Sequence, residues 1–304
     1  MTFNNWLQQV WAKKTTQESV AGYGLMAPTM VLAAAFLILP ILFAIALSFY
    51  NVQLLGELNF RFVGFRNFLR MMEDERVWIA LGNTARYAAI VVPTQTILAL
   101  LLALLLNSQI RGRQWFRVIF FLPTVTSSAV LTLIFMWIYN TNGLLNAMLS
   151  FFGLPTYNWL GDPAVALNGI MIMNIWSTAP LFMVIYLAAL QDIPESLYEA
   201  ATLDGANRWE KLLHITLPWL KPVTFFVLVV GLIGTFQLFD QSYIFSAGTG
   251  GPNNSTLTIV LLIYQYAFKS LDMGYALALT LMLAVVLMLA TLIQRSLFKE
   301  ESLD

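Results

Sequence analysis

"EAATLDGANRWEKLLHITLP", residues 199–218, gathers Glu199, Asp204, Arg208, Glu210, Lys211 and the chain's single histidine, His214. The stretches on either side are long and almost free of charge, and that contrast decides the fold class. Of 304 residues, 59% are hydrophobic and only 11% charged, against about 25% charged in a soluble globular protein. So small a polar supply cannot cover a water-facing surface, and the chain reads as an integral membrane protein. Its net charge of zero argues against nucleic acid as a partner. The absence of cysteine excludes disulfides, thiol chemistry and cysteine–metal sites. With one histidine, a His-rich intramembrane zinc centre is excluded as well. The N-terminal stretch is polar (Asn4, Asn5, Gln8, Gln9, Lys13, Lys14) and does not resemble a cleavable signal peptide.

A spanning helix needs roughly 20 mostly apolar residues. Six runs qualify, at 22–50, 84–106, 117–139, 165–190, 223–245 and 274–293. Pro28, Pro40, Pro93, Pro123 and Pro180 fall inside them, which membrane helices tolerate when neighbours satisfy the freed carbonyls. The lysines and arginines favour cytoplasmic termini. The inner segments then hold Lys13, Lys14, Arg111, Arg113, Arg117, Arg208, Lys211, Lys221, Arg295 and Lys299. The first outer loop dissents with Arg61, Arg66, Arg70 and Arg76, accompanied by Glu57, Glu73, Asp74 and Glu75. The expected division is a tail at 1–21, a six-helix membrane domain at 22–295 and a tail at 296–304.

On this topology residues 191–222 face the cytoplasm. Asp192 is expected to cap a short helix, with Pro194 and Glu195 in its first turn. Ile193, Leu197, Ala200 and Ala201 recur at helical spacing. Gly205 stands where a helix stops in the left-handed conformation. Asn207 and Glu210 have the spacing of a capping box that opens a second helix. That helix places Trp209, Leu212, Leu213 and Thr216 on one side, and Pro218 is expected to end it. Such a segment serves either as an amphipathic connector on the lipid headgroups or as an element packed into another protein's groove.

Glu199-Ala200-Ala201, three residues, Gly205, nine residues, Ile215, one residue and Leu217-Pro218 resemble the EAA motif. That motif marks the permease subunits of type I binding-protein-dependent ABC importers. Asp204-Gly205-Ala206, the stretch Phe62 to Phe68, Phe236 to Asp240, Gly250-Gly251-Pro252 and Ser255-Thr256 are similar to the sugar-transporting branch. The resemblance implies an all-α integral membrane fold of six transmembrane helices, the first outside a core of five. It implies residence in a bacterial inner membrane and a coupling segment that enters a groove on an ATPase. Glu199 would be its polar anchor, Ala200 and Ala201 its packing face, and Asp204, Gly205 and Ala206 its turn. Ile215, Leu217 and Pro218 would fix it to the fifth membrane helix. The implied partners are a second permease, two ATPase subunits that bind ATP and Mg, and an extracytoplasmic binding protein. No Gly-x4-Gly-Lys-Ser/Thr loop and no Gly-x-Ser-x-Gly elbow occurs, so neither cofactor nor catalysis is expected in this chain.

Ionisable and polar groups inside a membrane are candidates for function. Asp240, Gln237 and Tyr243 lie one turn apart and would share a face of a continuous helix, suited to a polyhydroxylated ligand. The competing reading pairs Asp240 with Arg86. Asn174, Ser177 and Thr178 line up before Pro180, and Thr124, Ser127 and Ser128 follow Pro123. Each set either lines a pathway or knits helices together and compensates a proline. Two other classes stay open: an ion-coupled secondary transporter, usually marked by inverted halves and several buried ionisable groups, and a membrane scaffold.

Overall fold

The computed structural model describes residues 14–53, 59–108 and 112–298; Lys13, Arg111, Lys299 and Glu57 lie outside them. Among the described residues, five helices are long and apolar enough to cross a membrane, and a bent pair counted as one span brings the number to six. The first span runs as helix Lys14–Ala33, a π turn Ala34–Ile38 and helix Leu39–Leu47. In that turn Leu39 donates to the Ala34 carbonyl, five residues back. The widened turn takes up the register that Pro40, without an N–H, would otherwise break. Its apolar window has no residue buried against the rest of the chain, as expected for a helix outside the core.

A two-stranded antiparallel hairpin follows, Tyr50–Gln53 against Asn59–Phe62, with Tyr50 opposite Phe62. Then come a short helix, Arg66–Glu73, and the second span, Glu75–Asn107. This span begins at Glu75 and not at Thr84, because Asp74 caps it by accepting from the Arg76 N–H at 3.0 Å. The fourth span is Ala166–Gln191 and the sixth Met273–Leu297.

Two expected spans are not continuous. The third, read as one run over 117–139, is two helices, Arg113–Val125 and Ser128–Ile138, meeting at 100°. Thr126 and Ser127 take extended backbone angles there. The fifth, read as 223–245, stops at Phe236 and resumes as the short helix Asp240–Phe245.

The second span is the axis of the bundle, packing on the fourth, fifth and third. At its inner end Ala99, Ala103 and Leu106 meet Phe182, Met183, Tyr186, Leu190, Ile193 and Leu220. At its outer end Val77 and Ala80 meet Leu257, Ile259, Tyr275 and Leu279. The arginines of the first outer loop are structural at this end. Arg70 pairs with Asp272 at 2.6 Å, and its guanidinium lies 4.0 Å from the centre of the Tyr275 ring. Burial opposes the Arg70 charge, but the Asp272 carboxylate outweighs it and raises the guanidinium above its ordinary value. Arg76 donates to Gln265. Asp74 Oδ2 accepts from the hydroxyls of Tyr266 at 2.6 Å and Tyr275 at 3.0 Å.

Asp74 thus ties the second span to the sixth while capping its own helix. Asp74→Ala strands two tyrosine hydroxyls and removes a cap, a loss of about 2–4 kcal/mol. The thermal transition of the purified chain in detergent is expected to fall accordingly, and an unchanged transition would contradict this role.

Candidate functional site

The segment between the fourth and fifth spans folds as a helix, a glycine turn and a second helix. The first helix is Glu195–Leu203. Its N-cap is Pro194, and Asp192 instead closes the C-terminus of the fourth span. The expected Asp192 cap is therefore wrong: the preceding helix runs further than its apolar residues suggest. Gly205 has φ +81°, a conformation that side chains disfavour. Around it Ala206 N–H donates to the Ala201 carbonyl at 2.8 Å and Gly205 N–H to Thr202 at 3.1 Å. This pair is a Schellman closure.

Asn207 then opens the second helix. Its side chain accepts from the Trp209 and Glu210 N–H groups at 2.9 and 3.0 Å. Glu210 answers by accepting from the Asn207 N–H at 2.6 Å, which completes the capping box. Pro218 does not end the helical path. A π turn over Leu212–Thr216, with Leu217 donating to the Leu212 carbonyl, precedes it as the first π turn precedes Pro40. The chain reaches the fifth span at Lys221 through helical turns.

One side of this segment is locked to the membrane bundle. Its two helices are first tied to each other, the Tyr198 hydroxyl lying 2.8 Å from Thr216 Oγ1 and Lys211 Nζ donating to Thr202 Oγ1 at 2.7 Å. Ile193 is buried in the inner core, against which Tyr198 and Ile215 pack. The other side is open. Leu203 is 89% exposed and Trp209 72%, so neither large apolar side chain is covered by the described residues. Glu199, Ala200, Asp204 and Pro218 are exposed, while Ala201, Ala206, Ile215 and Leu217 are half-buried. Ala201, Gly205, Ala206, Lys211, His214 and Ile215 line a concavity of about 510 Å³ between the two helices.

The intramembrane candidates separate into different environments. Ser177 Oγ donates to the Asn174 carbonyl at 3.1 Å. Thr178 Oγ1 lies 2.8 Å from the same carbonyl and 2.7 Å from Gln95 Oε1, and its single proton serves one of them at a time. Thr124 Oγ1 reaches the Ser177 carbonyl at 3.4 Å, beside Pro180. Ser177 and Thr178 therefore knit and compensate, whereas the Asn174 side chain is half-buried with no hydrogen bond among the described residues.

Gln237 does not share a face with Asp240 and Tyr243, because the helix breaks between Phe236 and Asp240; the latter two lie three residues apart on the short helix Asp240–Phe245. Tyr243 joins an aromatic cluster with Phe239 and Tyr264, at ring separations of 5.4 and 5.3 Å. Asp240 and Gln237 stay exposed. Arg86 donates to Asn168 at 3.1 Å, so the expected Asp240–Arg86 pair is absent among the described residues.

Sequence reasoning passed over Gln95 and Gly231. Gln95 is buried in the middle of the second span. A Cβ on Gly231 would come within 2.6 Å of its Nε2, so the second, fourth and fifth spans meet at this amide. A lone glutamine in an otherwise apolar run was the available signal. Gln241, which donates to Ser128 Oγ at 3.0 Å, was missed for the same reason. Gly231→Val should destabilise the purified chain by about 1–3 kcal/mol through overpacking. Gln95→Leu, which leaves Thr178 its Asn174 carbonyl, should cost less. Thermal melts in the reverse order would contradict this geometry.

The model of the family of binding-protein-dependent transport system inner membrane components matches residues 95–300. The chain is 38% identical over 276 residues to a lactose transport system permease protein of Rhizobium radiobacter, covering 90% of this chain and 91% of that one. It is 34% identical over 284 residues to a trehalose/maltose transport system permease protein of Thermococcus litoralis, covering 93% and 95%. It also resembles, in fold, a chain of a bacterial ABC transporter involved in the import of the acidic polysaccharide alginate. That likeness has a TM-score of 0.81 at 24% identity and covers 97% of this chain and 99% of the other.

Proposed function

Because the chain belongs to the family of binding-protein-dependent transport system inner membrane components, we propose that it carries a sugar or sugar-derived solute across the bacterial inner membrane by alternating access. The observation that carries the reading is the two-sided segment at 195–219. Its two helices are bonded to each other through Tyr198 and Thr216, it packs on the core of the bundle through Tyr198 and Ile215, and it is open outward through Leu203 and Trp209. A partner seated on the open side moves the fourth and fifth spans with it, because the locked side leaves no soft joint between them.

That partner is an ATPase subunit carrying ATP and Mg, and a second permease with its own ATPase completes the assembly. The termini then lie in the cytoplasm, and the binding protein delivers solute on the opposite face. Glu199, Ala200, Ala201, Asp204, Gly205 and Ala206 form the contact, while Ile215, Leu217 and Pro218 transmit it to the fifth span. The sugar class is supported by relatives named for lactose and for trehalose/maltose transport. Asn174, Gln237 and Asp240 are the side chains offered to the solute, each polar and none committed to a hydrogen bond among the described residues.

Two experiments test this. The tagged wild-type chain is expected to co-purify with an ATPase and a second permease, and Gly205→Trp to lose them while its own thermal transition falls only by the strain of a side chain at positive φ, about 1–2 kcal/mol. A wild-type chain that arrives alone, with uptake abolished by collapsing the ion gradient and not by ATP depletion, would overturn the proposal. Separately, Asp240→Asn should lower sugar uptake about tenfold, equivalent to ~1.4 kcal/mol, with the ATPase still bound. Unchanged uptake would remove Asp240 from the pathway.

A further inference from the structure

The short helix Arg66–Glu73 turns apolar side chains outward. Asn67 and Met71 are buried, while Phe65, Leu69 and Met72 keep 69%, 65% and 64% of their surface open. Their i, i+4, i+7 spacing forms one stripe. Trp78 extends it from the second span: its indole N–H donates to the Met72 carbonyl at 3.0 Å, and its ring remains exposed. A contiguous apolar strip of this kind marks an interaction surface.

Its height relative to the bilayer follows from two bolts. Asn67 Nδ2 donates to the Ser48 carbonyl at 2.8 Å and the Tyr50 carbonyl at 3.0 Å, just past the end of the first span. Arg70 pairs with Asp272, the N-cap of the sixth span. The helix is therefore held at the ends of two spans, on the side opposite residues 199–218. The first span's 27 residues measure about 40 Å at ~1.5 Å each, against a hydrocarbon core of about 30 Å. Its ends thus stand in the headgroup layers, the depth at which amphipathic interfacial helices lie.

Two further observations select the occupant. The first span is unburied along its apolar window, so a lipid-facing surface leads through the hairpin to the strip, and Phe65 packs edge-on to Phe49 at 5.3 Å. Arg61 and Arg66 on the same segment are exposed and have no side-chain partner among the described residues. Free guanidinium groups beside an apolar strip suit phospholipid phosphates above acyl chains.

We infer that Arg66–Glu73 is an interfacial membrane anchor, with Phe65, Leu69, Met72 and Trp78 seated at the acyl–headgroup boundary of that leaflet. It fixes the height of the first and sixth spans in the bilayer. The inference rests on the membrane placement of the spans and not on the solute or the ATPase.

The chain has no cysteine, so single-cysteine variants need no background removal. Leu69→Cys, Met72→Cys and Asn142→Cys, an aqueous control in the exposed turn after the third span, would each be labelled with bimane. The full chain with its partner subunits would be placed in nanodiscs of phosphatidylethanolamine and phosphatidylglycerol. Labels at 69 and 72 are expected to shift to shorter emission wavelength, to be quenched by doxyl-lipid and to be shielded from aqueous iodide, with the label at 142 showing the reverse. Equal iodide access at all three positions would overturn the anchor. Shielding that appears only when the binding protein is added would overturn it in favour of a protein dock. Leu37→Cys, in the exposed first span, separates the two levels: if it too escapes doxyl-lipid quenching, the membrane placement fails, and not the anchor alone.

Discussion

Inside hydrocarbon there is no water to satisfy a backbone or side-chain polar group, and every irregularity of this chain is shaped by that constraint. Pro40 follows a π turn whose closing bond reaches five residues back. Thr178 has two acceptors within reach of one hydroxyl, and the Tyr139 hydroxyl donates to the Gly169 carbonyl at 2.9 Å. Where the third span bends, Ser128 accepts from Gln241. The polar groups hold the bundle together because they have nowhere else to bond.

The same constraint makes the 195–219 segment conspicuous. It lies beyond the C-terminal end of the fourth span and the N-terminal end of the fifth, so it can carry charge, and its geometry is fixed by local bonds instead of burial. A Schellman closure and a capping box meet across Gly205 and Asn207 within three residues. Local closures of this kind keep two short helices at a set angle without a core of their own. The Tyr198–Thr216 bond braces that angle, and Tyr198 and Ile215 pack it against the core. A rigid element fixed on one side and exposed on the other suits a part that passes motion between subunits.

Legibility from sequence followed the range of the interaction. Gly205, Asn207 and Glu210 announced their roles because caps and turns are written within four residues. The long apolar runs announced the spans. Asp192 misled because helix ends depend on where the preceding span stops, and Pro218 misled because a π turn has no composition signature. The breaks at Thr126–Ser127 and between Phe236 and Asp240 fall at polar stretches too short to interrupt an apolar run of spanning length. Gln95 became meaningful only once Thr178 and Gly231, far away in sequence, were seen against it. The arginines at 70 and 76 looked like an orientation anomaly until Asp272, Tyr275 and Gln265 were found beside them.

The central claim is that the open face of residues 195–219 is an ATPase contact. A photo-crosslinking amino acid in place of Leu203, activated in native membranes, tests it most directly. The account predicts an adduct with an ATPase subunit whose yield changes when ATP is replaced by a non-hydrolysable analogue. An adduct formed only with lipid, insensitive to nucleotide, would make the segment a headgroup-lying connector and contradict the account.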